Sequence, residues 1–345
     1  MFLPSIYGKI VDTNRREKIV MKKITKAVMG TVAAATTGYL LLADLIDKLI
    51  VDRRYAVPQS FADKVSGADI SSLADLCATN MKWLEGYGYE KFSINSDRGQ
   101  KLVGYLMKPE KPSDVFVFGC HGYRSNGRKE FNAFAQYYLK KGFNVFLVDH
   151  VAAGESEGKY ISFDRYEYAD ALKWLTFLTE TFGENIQIIV HGVSMGAATA
   201  MMMSGAGNLS RNVKFIVSDC GYTSAWDEFE YKLKALKIPV QPILNTVNAI
   251  NKHRAGFDFK DTRALESVKK ATVPMLFVHG GADEFVPTYM AYLLYDACAS
   301  ENKDLLIVDG ADHAQSYIDG QSAYEEKLDK FIDKFIVGNK TEVKQ

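Results

Sequence analysis

The sequence has no excess of charge of either sign. Its 42 Lys and Arg balance 42 Asp and Glu, a formal net charge of +0. That balance leaves no basic footprint for nucleic acid, which is not expected as a partner. Cysteine is scarce. Its four copies, Cys77, Cys120, Cys220 and Cys298, are far apart and form no C-x-x-C pair. This excludes a disulfide framework and a cysteine zinc site. Cys120 and Cys220 close apolar, strand-like runs and read as buried free thiols. The six histidines show no H-E-x-x-H or other ligand spacing. No metal and no other cofactor is expected. Internal repeats and low-complexity runs are also missing.

What is present is a chain of 345 residues, long enough for one large α/β domain or two smaller ones. Its centre is the stretch Ile188 to Ala200. An apolar, β-branched run reads as a buried strand, and small residues with Met read as a helix. Between them stands Gly192-Val193-Ser194-Met195-Gly196. A serine on such a strand-to-helix turn is strained and holds its hydroxyl clear of its neighbours. The flanking glycines are required because a Cβ would clash with the adjoining strand or helix. Ser194 is therefore the candidate nucleophile. The first backbone N–H of the new helix, that of Met195, points where an oxyanion would form.

The N-terminal part reads differently. Residues 1–20 are polar and mixed in charge, and are expected to be disordered or extended. An uncharged run from Ala27 to Ala43 follows Lys22, Lys23 and Lys26 and precedes Asp44 and Asp47. It lies at the lower edge of a bilayer span. Three readings stand open. The first is a signal anchor at the cell membrane, with the basic side inside and the catalytic domain outside. The second is a cleaved signal starting at Met21, which would leave a secreted protein. The third is an amphipathic helix packed on a domain that stays in the cytoplasm. The expected organisation is a tail with the anchor helix over 1–54, a helical linker over 55–86, a domain over 87–337 and a tail over 338–345.

From Tyr87 a hairpin (Tyr89–Ile94 and Lys101–Met107) leads into alternating strands and helices. Strands are expected at 115–120, 143–148, 186–190, 214–218, 274–278 and 304–308. Helices are expected at Lys129–Lys140, Arg165–Thr181, Thr288–Ala299 and Ala323–Phe335. The pattern means a mostly parallel, eight-stranded sheet with helices on both faces. One insertion, 222–270, interrupts it with helical patterns at Trp226–Leu236, Pro242–Asn251 and Asp261–Lys269. Placed over the carboxyl ends of the strands, it would act as a small lid. Its apolar side, from Leu233 to Ile250, either packs on the body or lines an acyl pocket. Its acids Asp227, Glu228 and Glu230 read as a solvated helix face.

A serine hydroxyl needs a base within hydrogen-bond reach and a third group to orient that base. When the nucleophile sits at a strand-to-helix turn, the acid and then the histidine follow it in the chain. Asp283, in the loop after the strand 274–278, is the candidate acid, ahead of Glu284, Asp309, Asp312 and Asp219. His313, in the loop after the last strand, is the candidate base. His279 and His191 read as packed at strand ends, and His121 as shaping its loop. His150 and His253 have no partner in the pattern. All three candidates fall at the carboxyl edge of the sheet, where open α/β sheets carry their sites. The second oxyanion donor is expected from His121-Gly122-Tyr123-Arg124-Ser125, through the backbone N–H of Tyr123.

From about Tyr87 to Phe335 the chain resembles the α/β-hydrolase superfamily. It looks most like membrane-anchored bacterial hydrolases of the serine aminopeptidase (S33) or acyltransferase-thioesterase-like type. The residues that carry the resemblance are His121-Gly122-Tyr123, Asp149 with Gly154-Glu155-Ser156-Glu157-Gly158, the Gly192–Gly196 turn, Asp283 and His313. Such relatives often carry Arg two residues after the second-motif aspartate, where this chain has Val151. The resemblance implies a serine esterase that cleaves a small-molecule carboxylic ester through an acyl-enzyme. A peptidase, amidase or thioesterase on the same residues is the nearest alternative. A tethered binding protein without activity is a more distant one. Neither the acyl chain nor the oligomeric state follows from the residues.

Overall fold

The computed structural model describes residues 4–55 and 71–336. Eight strands form one sheet in the order β1-β2-β4-β3-β5-β6-β7-β8. They are β1 (Glu90–Asn95), β2 (Lys101–Met107), β3 (Val115–Cys120), β4 (Asn144–Asp149), β5 (Gln187–Val193), β6 (Val213–Asp219), β7 (Met275–Gly280) and β8 (Lys303–Val308). The hairpin β1–β2 joins β4 antiparallel, and every later pairing is parallel. Strands β3 to β7 are apolar almost throughout because both faces are covered.

Alternation along each strand divides the core in two. On β3, Phe116, Phe118 and Cys120 turn to one face, and Val115 and Val117 to the other. The first face is covered by α5 (Glu167–Phe182), α6 (Met195–Ser204), α9 (Ala264–Val268) and α10 (Tyr289–Ala297). The second is covered by α2 (Ser71–Tyr87), α4 (Asn132–Lys140) and α12 (Gln321–Phe335). Cys120, Cys220 and Cys298 are buried free thiols.

Several elements depart from the sequence reading. The helix expected at Lys129–Lys140 is two helices, α3 (Gly127–Glu130) and α4, broken at Phe131. The Asn126 side chain caps the first of them, accepting from Lys129 N at 3.0 Å. Phe131 is fully buried, and its ring packs on Phe134 and His191. Between β6 and β7 lie α7 (Ala225–Ala235), α8 (Val240–Ala255) and the short α9. The helix expected at Asp261–Lys269 is cut short because Phe259–Asp261 forms a 3-10 turn before it. A further short helix, α11 (Ser316–Asp319), precedes α12.

The largest departure is at the N-terminus. Residues expected to be disordered or extended are helical, within one 48-residue helix, α1 (Pro4–Val51). Its polar first stretch is rich in Lys, Arg and Glu, which are good helix formers. The part Met29–Val51 is long and apolar enough to cross a membrane, with a mean hydropathy of 1.4. Leu40, Leu41, Leu42 and Leu45 are exposed, whereas Ala43, Asp47 and Val51 are buried against the body. The breaks expected at Pro58 and Gly67 lie outside the described residues.

Trp174 of α5 is 1% exposed and packs edge to face or tilted against Phe146 and Phe177. Replacing it with Ala removes the largest fully buried side chain from the first core face. Trp174→Ala is expected to cost about 3–5 kcal/mol, read from the midpoint of urea unfolding.

Candidate active site

The site begins with a backbone constraint. Ser194 stands between β5 and α6 at φ 56° and ψ −118°, a conformation that L residues rarely adopt and that must be held by its surroundings. A Cβ on Gly192 would lie 2.1 Å from Gly196 O, and one on Gly196 would lie 2.0 Å from Cys120 O. The strand, the helix and the end of β3 are therefore packed backbone to backbone. The Ser194 N–H donates to Asp219 O at 2.8 Å, fixing the turn to β6.

Two loops bring side chains to this turn. After β8, His313 presents Nε2 to Ser194 Oγ at 2.8 Å and Nδ1 to Asp283 Oδ2 at 2.8 Å. After β7, Asp283 is held from its other side: Oδ1 accepts from Phe285 N at 2.9 Å and Val286 N at 2.8 Å. Burial opposes the charge on Asp283. Hydrogen bonds from His279 and His313, with their charge, outweigh it and hold the carboxyl well below the usual carboxylate range. The Asp283 carboxylate can only accept, so Nδ1 of His313 is the donor to Oδ2, which leaves Nε2 to accept from the serine. Ser194 is only 7% exposed and Asp283 is buried, whereas His313 between them is partly open to solvent.

The loop after β3 crosses directly over the serine. A Cβ on Gly122 would stand 3.3 Å from Ser194 Cβ. His121 braces the loop from below, with Nδ1 on Gly122 O at 2.7 Å and Nε2 accepting from His150 N at 3.0 Å. The loop's far end is tied by Asp149, which accepts from Gly127 N at 3.0 Å. The other oxygen of Asp149 accepts from Glu155 N and Tyr105 Oη, which explains the spacing from Asp149 to Gly154-Glu155. Of the expected oxyanion donors, Tyr123 belongs to this loop and Met195 is the first residue of α6.

The other candidates take structural places. His191 lies between Tyr138 and Tyr324, and Tyr324 also donates to Asp219 at 2.9 Å. His279 Nε2 meets Val286 O at 2.8 Å and lies 3.2 Å from Asp283. Asp312 accepts from His313 N at 2.7 Å and shapes that loop. Glu284, Asp309 and His253 are exposed. Cys220, Asp283 and His313 place ligand atoms within 4.8 Å of one another. They do not fit a metal: burial keeps the Cys220 thiol protonated, and the other two are engaged with each other.

Sequence reasoning missed one group. Glu228, read as part of a solvated helix face, is buried on α7 with neither carboxylate oxygen hydrogen-bonded. Lys232 lies 3.7 Å away, one turn on. The Lys232 ammonium covers the Phe285 ring at 3.8 Å, and that ring packs on His313 at 4.7 Å. The i to i+4 spacing of Glu228 and Lys232 was the available signal, but the spacing does not say which face is covered.

Comparison with known proteins agrees with this architecture. A family model described as serine aminopeptidase, S33, matches residues 111–222. An uncharacterized Bacillus subtilis (strain 168) protein, YqkD, is 29% identical over 243 residues, covering 70% of this chain and 78% of its own. The human monoglyceride lipase is 26% identical over 253 residues, 64% of this chain and 82% of its own. Among solved structures, the Pyrococcus furiosus esterase Pf2001 superposes with a TM-score of 0.59 at 20% identity, over 72% of this chain and 92% of its own. The chain has the α/β-hydrolase fold.

Burial pushes the Glu228 carboxyl up to about 8, with Lys232 opposing and Asp283 adding. The unfolded value is about 4.3. A carboxyl whose folded pKa is raised contributes most below its unfolded value and loses that contribution as pH rises through the folded one. Glu228→Gln is therefore expected to gain on wild type by on the order of 1–3 kcal/mol between pH 4 and 8. Urea unfolding of both proteins across that range reads the change.

Proposed function

We propose that this α/β hydrolase is a serine esterase that cleaves a carboxylic ester through an acyl-enzyme. The observation that carries the reading is the continuous relay from Ser194 Oγ through His313 to Asp283, with both contacts at 2.8 Å. His313 Nε2 takes the serine proton as Oγ attacks the ester carbonyl, then delivers it to the leaving alcohol. Asp283 keeps the imidazole in the required tautomer and stabilises its charged form. The N–H groups of Tyr123 and Met195 receive the oxyanion. Water, activated by the same histidine, then releases the acid.

The lipase and esterase relatives support an ester over an amide. Monoglyceride lipase, by its name, acts on an acylglycerol, and this chain spans 82% of its length. The insertion between β6 and β7 serves as a lid. Leu244 and Val247 of α8 are buried and Ile243 and Ile250 pack on the core, whereas Leu233, Leu236, Ile238 and Val240 are half-buried. The latter four are the side chains left to meet an acyl group. A peptidase would need an ionised acid to hold a substrate amine. Glu228, the buried acid of the lid, is held largely protonated at neutral pH. The exposed apolar stretch of α1 suits a membrane anchor.

Ser194→Ala is expected to lower turnover of a p-nitrophenyl acyl ester by about 10⁴-fold or more, and His313→Ala to a similar degree. Fluorophosphonate labelling should be lost in Ser194→Ala. Full turnover in Ser194→Ala would sink the reading.

A further inference from the structure

The carboxyl end of α1 lies against the loop that crosses Ser194. Tyr123 Oη donates to Ile50 O at 2.7 Å. The Arg124 guanidinium donates to Leu49 O at 2.8 Å, to Asp52 O at 3.2 Å and to Tyr123 Oη at 2.8 Å. These carbonyls belong to the last turn of α1 and the residue after it, which a helix leaves without partners of its own. A cation at that end is also favoured by the helix dipole. The seat is fixed from the other side. Ile161 N donates to Val51 O at 2.8 Å and Arg53 N to Lys159 O at 3.1 Å. The Arg53 side chain holds Ser156 O at 2.7 Å and Gly154 O at 2.9 Å.

On the loop side, Arg124 sits at φ 55°, a left-handed conformation that a bulky residue adopts only when held. The Tyr123 ring stacks on Phe163 with centroids 5.2 Å apart. The two residues that follow Gly122 are thus locked by contacts to a helix at the far end of the sequence. Nothing in hydrolysis itself needs the Tyr123 hydroxyl or the Arg124 guanidinium, since the chemistry uses only the Tyr123 N–H.

We propose that the docked end of α1 sets the oxyanion loop, with the Tyr123 and Arg124 side chains acting as positioning residues that aim the Tyr123 N–H at the substrate oxygen. The inference rests on the serine-esterase reading above. The helix is then a working part of the site as well as a tether. Anything that draws its last turn away from the body lowers turnover without touching Ser194, His313 or Asp283.

The test uses the full chain in detergent micelles with p-nitrophenyl esters. Tyr123→Phe keeps the backbone N–H and the ring but removes the bond to Ile50 O and the one accepted from Arg124. Arg124→Ala removes the bonds to Leu49 and Asp52, and Arg124→Lys keeps the positive charge at the helix end. Both Tyr123→Phe and Arg124→Ala are expected to lower kcat about 10- to 100-fold, with KM within about two-fold of wild type, an unchanged pH midpoint and an unchanged Tm. The rate of fluorophosphonate labelling should fall in parallel, and Arg124→Lys should recover part of the loss. Wild-type kcat in Tyr123→Phe overturns the proposal, as does a loss of activity matched by a fall in Tm. Should Arg124→Ala fail to fold, Tyr123→Phe decides alone. Ser194→Ala separates the two claims. If it keeps turnover, the esterase reading fails. If it is inactive while Tyr123→Phe is normal, only the positioning role fails.

Discussion

Between β5 and α6 there is no room for a side chain on either side of Ser194, and the rest of the molecule is arranged around that close approach. Gly192 meets the backbone of Gly196, and Gly196 meets the backbone of β3. The same contact that forces the serine to φ 56° also brings the end of β3, and therefore the loop from His121 to Asn126, over its hydroxyl. The strained turn and the nearby loop are one packing event. The order of strands does the remainder: β7 and β8 lie on the same side of β5 as β6, so the loops that carry Asp283 and His313 emerge beside the turn. Neither loop has to travel far, and each is stiffened locally, Asp283 by two backbone N–H groups and His313 by Asp312.

The electrostatics follow from burial at that edge. Asp283 is desolvated, and an isolated buried carboxylate would take up a proton. Its hydrogen bonds reverse the outcome and keep it charged beside His313. Asp219, one strand over, shows the opposite balance. It has one tyrosine donor and an unpartnered second oxygen, and burial pushes it up to about 7. Two aspartates at the ends of neighbouring strands thus shift in opposite directions because one is supplied with more donors than the other. The same rule raises the Glu228 carboxyl on the insertion.

The sequence made the elbow and its partners legible because local chemistry dictates them. Glycines are compulsory at Gly192 and Gly196, and chain order assigns loops after strands whose apolar runs are easily seen. The sheet was readable for the same reason, down to the hairpin that precedes it. What escaped depends on tertiary contacts that no short window contains. Phe131 interrupts a helical pattern because its ring has a place in the core. Glu228 and Lys232 look like any exposed i to i+4 pair until the face of α7 that covers them is known. The helicity of residues 4–20 was hidden by their polarity, since mixed charge suits a helix as well as a disordered tail.

The role of α1 is the clearest case of a relation between distant segments that sequence cannot express. Its last turns touch two parts of the site at once. Arg254 of α8 bonds to Asp44 and Asp47, and Tyr39 pairs with Thr246 at 2.8 Å. One helix therefore holds the insertion on one side and the loop of Tyr123 and Arg124 on the other. Asp47 is fully buried, and removing Arg254 would leave that carboxylate without its cation, a costly state. Parting the insertion from α1 strands Asp47, and parting α1 from the body breaks the bonds of Tyr123 and Arg124 to its last turn. The same helix that exposes Leu40, Leu41, Leu42 and Leu45 thus packs its carboxyl end against the loop beside Ser194.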